Sequence, residues 1–94
     1  MTISQENAEA IALKALAFLV ADEDLLPVFL GSSGATADDL RTGAADPAFL
    51  GSVLDFLMMD DQWVIRFCDG HNVAYDQVYP ARISLPGGEQ MNWT

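Results

Sequence analysis

The chain has 94 residues, of which four are basic and fourteen acidic, for a net charge of −10. About half of the residues are apolar, enough to fill one modest core, and a chain of this size buries roughly 64% of its unfolded surface on folding. Phosphate backbones and anionic headgroups are bound by displacing counterions with Lys and Arg. With only Lys14, Arg41, Arg66 and Arg82 to offer, the composition argues against nucleic-acid or membrane-surface partners.

A single cysteine, Cys68, leaves no internal disulfide to form, as expected of a cytoplasmic protein. The longest apolar run, Ala15 to Ala21, is too short to span a bilayer. Glu6 and Glu9 stand where a signal peptide carries positive charge. Neither a targeting segment nor a membrane span is expected.

In chain order, Thr2-Ile3-Ser4-Gln5 has the spacing of a capping box and predicts a helix starting at Ile3 or Ser4. Ala8, Ile11, Ala12, Ala15, Phe18 and Leu19 then follow the i, i+3, i+4 rhythm of a buried stripe. Leu13, Leu16 and Val20 add a second stripe. The C-terminal half of this helix is thus apolar nearly all round, which predicts a central helix wrapped by the others.

Asp22-Glu23-Asp24 places negative charge at the start of a second helix, where the dipole favours it. Pro27 is tolerated in the first turn. Leu25, Leu26, Phe29 and Leu30 make the buried face, and Gly34 stops the helix after Ser33. Thr36 with Asp39 caps a short helix running through Leu40 and Arg41. Asp46-Pro47 is a cap followed by a first-position proline; from it run Phe49, Leu50, Val53, Leu54, Phe56 and Leu57, in a helix expected to end near Asp60.

Residues 61–70 are readable in two ways. Trp63-Val64-Ile65-Arg66-Phe67-Cys68 has strand propensity, and Asp69-Gly70-His71-Asn72 would turn it into a hairpin with Val73 to Tyr79. Against this, Asp60 or Asp61 caps a helix, and Val64, Phe67 and Cys68 share a helical face; helix is preferred. A last helix is expected over Tyr75 to Leu85, with Pro80 near its beginning or kinking it, and Pro86-Gly87-Gly88 ends regular structure. The whole predicts an all-α domain over residues 1–88, a compact bundle of five to six short helices around the N-terminal one, followed by a tail over residues 89–94.

Several of these segments resemble a family of short, mainly alphaproteobacterial proteins catalogued only as a domain of unknown function. They are Ala15-Leu16-Ala17-Phe18-Leu19 followed by acids, Ala37-Asp38-Asp39-Leu40-Arg41, Asp46-Pro47-Ala48-Phe49-Leu50 leading to Val53-Leu54-Asp55-Phe56-Leu57, and Ala81-Arg82 to Leu85-Pro86-Gly87-Gly88 with Trp93 near the end. The resemblance implies an all-helical domain and helix rather than hairpin over residues 61–70. It implies no activity, because these segments are caps and core positions.

Chemistry-bearing residues are few. Cys68 and His71 form a Cys-x-x-His pair with Asp60, Asp61, Asp69 and Asp76 nearby. Such a pair is a weak zinc candidate, because a structural site takes four ligands and the chain has no other Cys or His. As a nucleophile and base the pair is disfavoured by acidic surroundings, which raise a thiol's pKa. A buried Cys packing as a small hydrophobe is the simpler reading. Asp22-Glu23-Asp24, Asp38-Asp39 and Asp60-Asp61 fall at helix starts, where capping accounts for them. Phe29 to Arg41 looks like a helix-turn-helix, but its second helix offers Asp38, Asp39 and one Arg41 where a recognition helix needs basic or amide side chains. Gly31-Ser32-Ser33-Gly34 lacks the lysine of a phosphate loop. Met58 reads as core, whereas Met91 and Trp93, after the Gly-Gly, are candidates for docking onto the domain itself or a partner.

Two functions follow as expectations. The first is a non-enzymatic protein-interaction module, as a homodimer or with a basic partner, without cofactor. The second is a small-ligand or metal-binding protein using Cys68, His71 and nearby carboxylates.

Overall fold

The computed structural model describes residues 3–86, all of whose regular structure is helical. In chain order the helices are α1 (Gln5–Ala21), α2 (Leu25–Ser33), α3 (Ala37–Gly43), α4 (Pro47–Leu57), α5 (Asp61–His71) and α6 (Val78–Ile83), the last preceded by a 3₁₀ turn over Tyr75–Gln77. α1 is central, packing against α2, α4, α5 and α6.

Local chemistry sets the boundaries. Ser4 is the first cap, its hydroxyl accepting from the Asn7 N–H at 3.1 Å. The first helix therefore starts at Gln5 rather than at Ile3 or Ser4, and Thr2 lies outside the described residues. Thr36 and Asp39 form a reciprocal capping box. Asp46 accepts from Ala48 N–H ahead of Pro47, and Asp60 accepts from Gln62 N–H. Because Asp60 belongs to the start of α5, α4 stops at Leu57 and not near Asp60. At the end of α2, Gly34 takes φ 76°, a left-handed conformation that glycine adopts without a Cβ penalty, and its N–H closes on the Leu30 carbonyl.

Burial follows most of the expected faces. Ala8, Ile11, Ala12, Ala15, Leu16 and Leu19 of α1 enter the core with Leu50, Val53, Leu54 and Leu57 of α4 and with Val78 and Ala81 of α6. An aromatic chain ties the outer helices to α4: Phe49 meets Phe29 edge-on, Phe29 meets Phe56, and Phe56 stacks on Trp63 with centroids 4.9 Å apart. That stack, with Phe67 and Cys68 buried, explains why residues 61–70 are helical despite their strand propensity. A helix brings Trp63 and Phe67 to the core together, one turn apart.

Two expectations change. The second stripe of α1 divides, with Leu16 buried while Leu13 and Val20 are 43% and 49% exposed, so the helix is central but not wrapped on every side. The helix expected over Tyr75 to Leu85 is instead a 3₁₀ turn and a six-residue α-helix. Pro80 is the reason, since its ring would collide with the Asp76 carbonyl in a continuous helix but is accepted in the first turn of α6.

Candidate functional site

The C-terminal end of α5 and the 3₁₀ turn enclose an open cleft of about 820 Å³ lined by Cys68, Asp69, Asn72, Val73, Ala74, Tyr75, Asp76 and Gln77. It exists because α5 ends sharply. Asn72 adopts the left-handed conformation at φ 57° and returns its N–H to the Cys68 carbonyl. Val73 then turns inward and is buried, while Tyr75 lines the cleft and stays exposed.

The Tyr75 hydroxyl donates to Asp69 Oδ1 at 2.7 Å. This bond to a carboxylate favours the protonated phenol, so the Tyr75 pKa lies above its ordinary 10. The Cys68 thiol is pushed up from its usual value, chiefly by burial and secondly by the Asp69 charge. Both shifts suppress the anions that nucleophilic chemistry would need.

Tyr75 also borders a second, smaller cleft of about 410 Å³, formed with Met58, Asp61, Val64, Val78 and Tyr79. Tyr75 is the residue common to the linings of both clefts. Tyr75 is 56% exposed and Tyr79 59%, with Met59 at 72% beside Met58. Asp61, Asp69 and Asp76 rim the surface, and no described lining residue is basic.

Of Cys68 and His71, only Cys68 is among the residues lining the cleft. His71 packs on the aromatic side of α5, tilted against Phe67 at 5.3 Å and edge-on to Phe18 at 6.0 Å. Among the described residues no group of three or more His, Cys, Asp or Glu side chains stands together in a way that could hold a metal ion. Gly87, Gly88, Met91 and Trp93 lie outside the described residues. No described helix is long and apolar enough to cross a membrane.

Two features escaped the sequence reading. Tyr75 was legible only as a helix start, yet it lines both clefts. The ion pair between Arg82 and Asp55 had a visible signal, a lone charge in each of two otherwise apolar helices.

Fold and surface together define a small all-helical domain with an acid-rimmed, tyrosine-bearing cleft. Residues 5–88 match the model of the family described as "Protein of unknown function (DUF3572)", and the chain belongs to that family. No curated protein and no solved structure matches it.

Proposed function

We propose that the protein is a non-enzymatic protein-interaction module that receives a basic, partly apolar segment of a partner on the Tyr75 surface. The observation that carries this reading is the exposure of Tyr75 and Tyr79 in two clefts whose linings also hold Met58 and the acids Asp61, Asp69 and Asp76. Tyr and Met are enriched at interface centres because they offer large adaptable contact area, and a rim of one charge sign selects the partner of the other. The burial of the Cys68 sulfur beside the Asp69 carboxylate weighs against a nucleophilic role for that thiol. A photo-crosslinking side chain at position 79 is expected to capture one defined partner in cells. Capture is expected to fall sharply in an Asp61→Lys, Asp76→Lys double variant that keeps its circular-dichroism spectrum. Equal capture from a control probe at position 23 would overturn the proposal.

A second reading, a small-ligand site, draws on the same cleft, with Cys68 and Asp69 as its polar lining. It predicts a ligand whose binding protects Cys68 from alkylation. A partner segment crossing the Tyr75 surface would instead be lost on Tyr75→Ala and Tyr79→Ala alike.

A further inference from the structure

The solvent face of α1 has an unusual composition for so acidic a chain. Ala10, Leu13, Ala17 and Val20 all lie on it and are exposed, Leu13 and Val20 by nearly half. Their spacing, 10, 13, 17, 20, is the alternating three-and-four step of heptad positions a, d, a, d. Of the core-facing residues, Ala8, Ile11, Ala12, Ala15 and Leu19 occupy b, c and f, and Leu16 alone reaches a flanking g position, so no a or d residue of the seam belongs to the face that holds the fold together. Between Glu6 and Asp22 the one carboxylate is Glu9, at the edge of the seam, although the chain as a whole carries −10.

The flanks of the seam say what covers it. Glu9 falls at a g position, and Lys14, the only lysine in the chain, at the e position of the following heptad. In a parallel helix pair a g residue faces the e residue five positions on in the other chain, and such pairs set both partner and orientation. A second copy laid parallel against α1 therefore makes two symmetric Glu9–Lys14 ion pairs, bracketing layers of Ala10, Leu13, Ala17 and Val20. An antiparallel copy would set Lys14 beside Lys14. The next d position toward the N-terminus is Glu6, whose repulsion of its own copy limits the seam to two heptads. Two heptads are too few for free peptides, but α1 is already fixed by its buried face. We infer that α1 is a homodimerisation element, pairing in parallel with α1 of a second copy through this seam.

Four small or medium side chains per copy make a contact well short of the roughly 800 Å² per partner of a standard interface, so the dimer is expected to be weak and reversible. This face and the Tyr75 cleft share no residue, so either proposal can fail alone.

Sedimentation equilibrium on the full chain tests it. Native protein is expected to show reversible dimerisation. Lys14→Glu or Glu9→Lys alone is expected to weaken it roughly tenfold, since two attractions become two repulsions. The double swap Glu9→Lys, Lys14→Glu is expected to restore it, and an equimolar mixture of the two single variants to form the heterodimer. An Ala10→Cys variant is expected to crosslink to its own copy on mild oxidation, because Ala10 meets Ala10 only in the parallel register. A protein that stays monomeric throughout, a dimer indifferent to Leu13→Asp and Lys14→Glu, or a dimer in which Ala10→Cys does not crosslink would each overturn the inference. Circular dichroism confirms that these exposed substitutions leave the fold intact.

Discussion

Arg82 is 6% exposed, and its guanidinium grips Asp55, 27 residues earlier, through both Nε and Nη2. The Nη2 bond measures 2.9 Å, and Nη1 donates to the Pro86 carbonyl at 3.1 Å. The pair joins α4 to α6 and satisfies the guanidinium on three sides, which is what permits the charge to be buried. Asp55→Ala is expected to destabilise the fold by about 2 kcal/mol, below the usual cost of orphaning a buried charge because Asp55 retains some exposure. Replacing both partners, Asp55→Leu with Arg82→Met, is expected to cost less than either single change. Urea unfolding of the four proteins checks this, and additive losses would rule it out.

Gly51 shows why a helix-interior glycine is retained on α4. By propensity alone Gly→Ala in a helix gains about 1 kcal/mol. Here a Cβ would come within 2.6 Å of Arg82 Nη1 and 3.1 Å of the Pro86 carbonyl. The side chain that must move is the one held by Asp55, so overpacking is expected to win. Gly51→Ala should lower stability by about 1–2 kcal/mol. In an Arg82→Met background the penalty should shrink or change sign, a coupling that thermal melts would resolve.

These two residues also mark where the sequence stopped being legible. Caps and periods are local, so Asp46-Pro47, Thr36 with Asp39, and Gly34 located helix ends from a few residues each. The helix over residues 61–70 was a contest between β propensity and helical period. It was decided by contacts between helices, Phe56 with Trp63 across the α4–α5 turn and Phe18 with Phe67 from far along the chain. The same holds for the Tyr75 surface. Nothing local announces that Tyr75 will line a cleft, because the cleft is made by the left-handed Asn72 and the break before Pro80. Lone opposite charges in two apolar helices, Asp55 and Arg82, were the one long-range signal on offer, and it pointed to structure rather than to chemistry.

Asp22 gives an acid-sensitive joint between α1, α2 and α5. Its carboxylate accepts from the N–H groups of Leu25 at 3.0 Å and Asp24 at 2.9 Å, and pairs with Arg66 Nη2 at 2.6 Å. The backbone bond from Leu25 is the leading reason its pKa lies below the ordinary 3.8, with Arg66 a smaller one. A carboxylate whose folded pKa is depressed adds stability above its unfolded value, and that stability is lost as pH falls through the folded one. Asp22→Asn keeps an oxygen for the backbone donors but loses the charge. The native protein is therefore expected to melt higher than the variant near neutral pH, and the gap to close below about pH 4. Added salt should narrow the gap as well, because Arg66 is largely solvated. A gap that stays constant from neutral to strongly acidic pH would contradict the assignment.

Cys68 distinguishes a cleft that reaches the core from one that stops above it. The residue lines the cleft yet is only marginally accessible, and burial is the larger of the two influences raising its thiol pKa. At mildly alkaline pH a thiol-specific reagent is therefore expected to label it much more slowly in the native protein than in urea. Asp69→Asn should speed native labelling only slightly, since it removes the smaller influence and leaves the sulfur enclosed. The two possible outcomes bear differently on function. Slow labelling means that a bound segment rests on Tyr75 and the rim without touching sulfur. Labelling at nearly the denatured rate would mean that the cleft opens down to Cys68, and would move the balance toward a small ligand seated against the thiol.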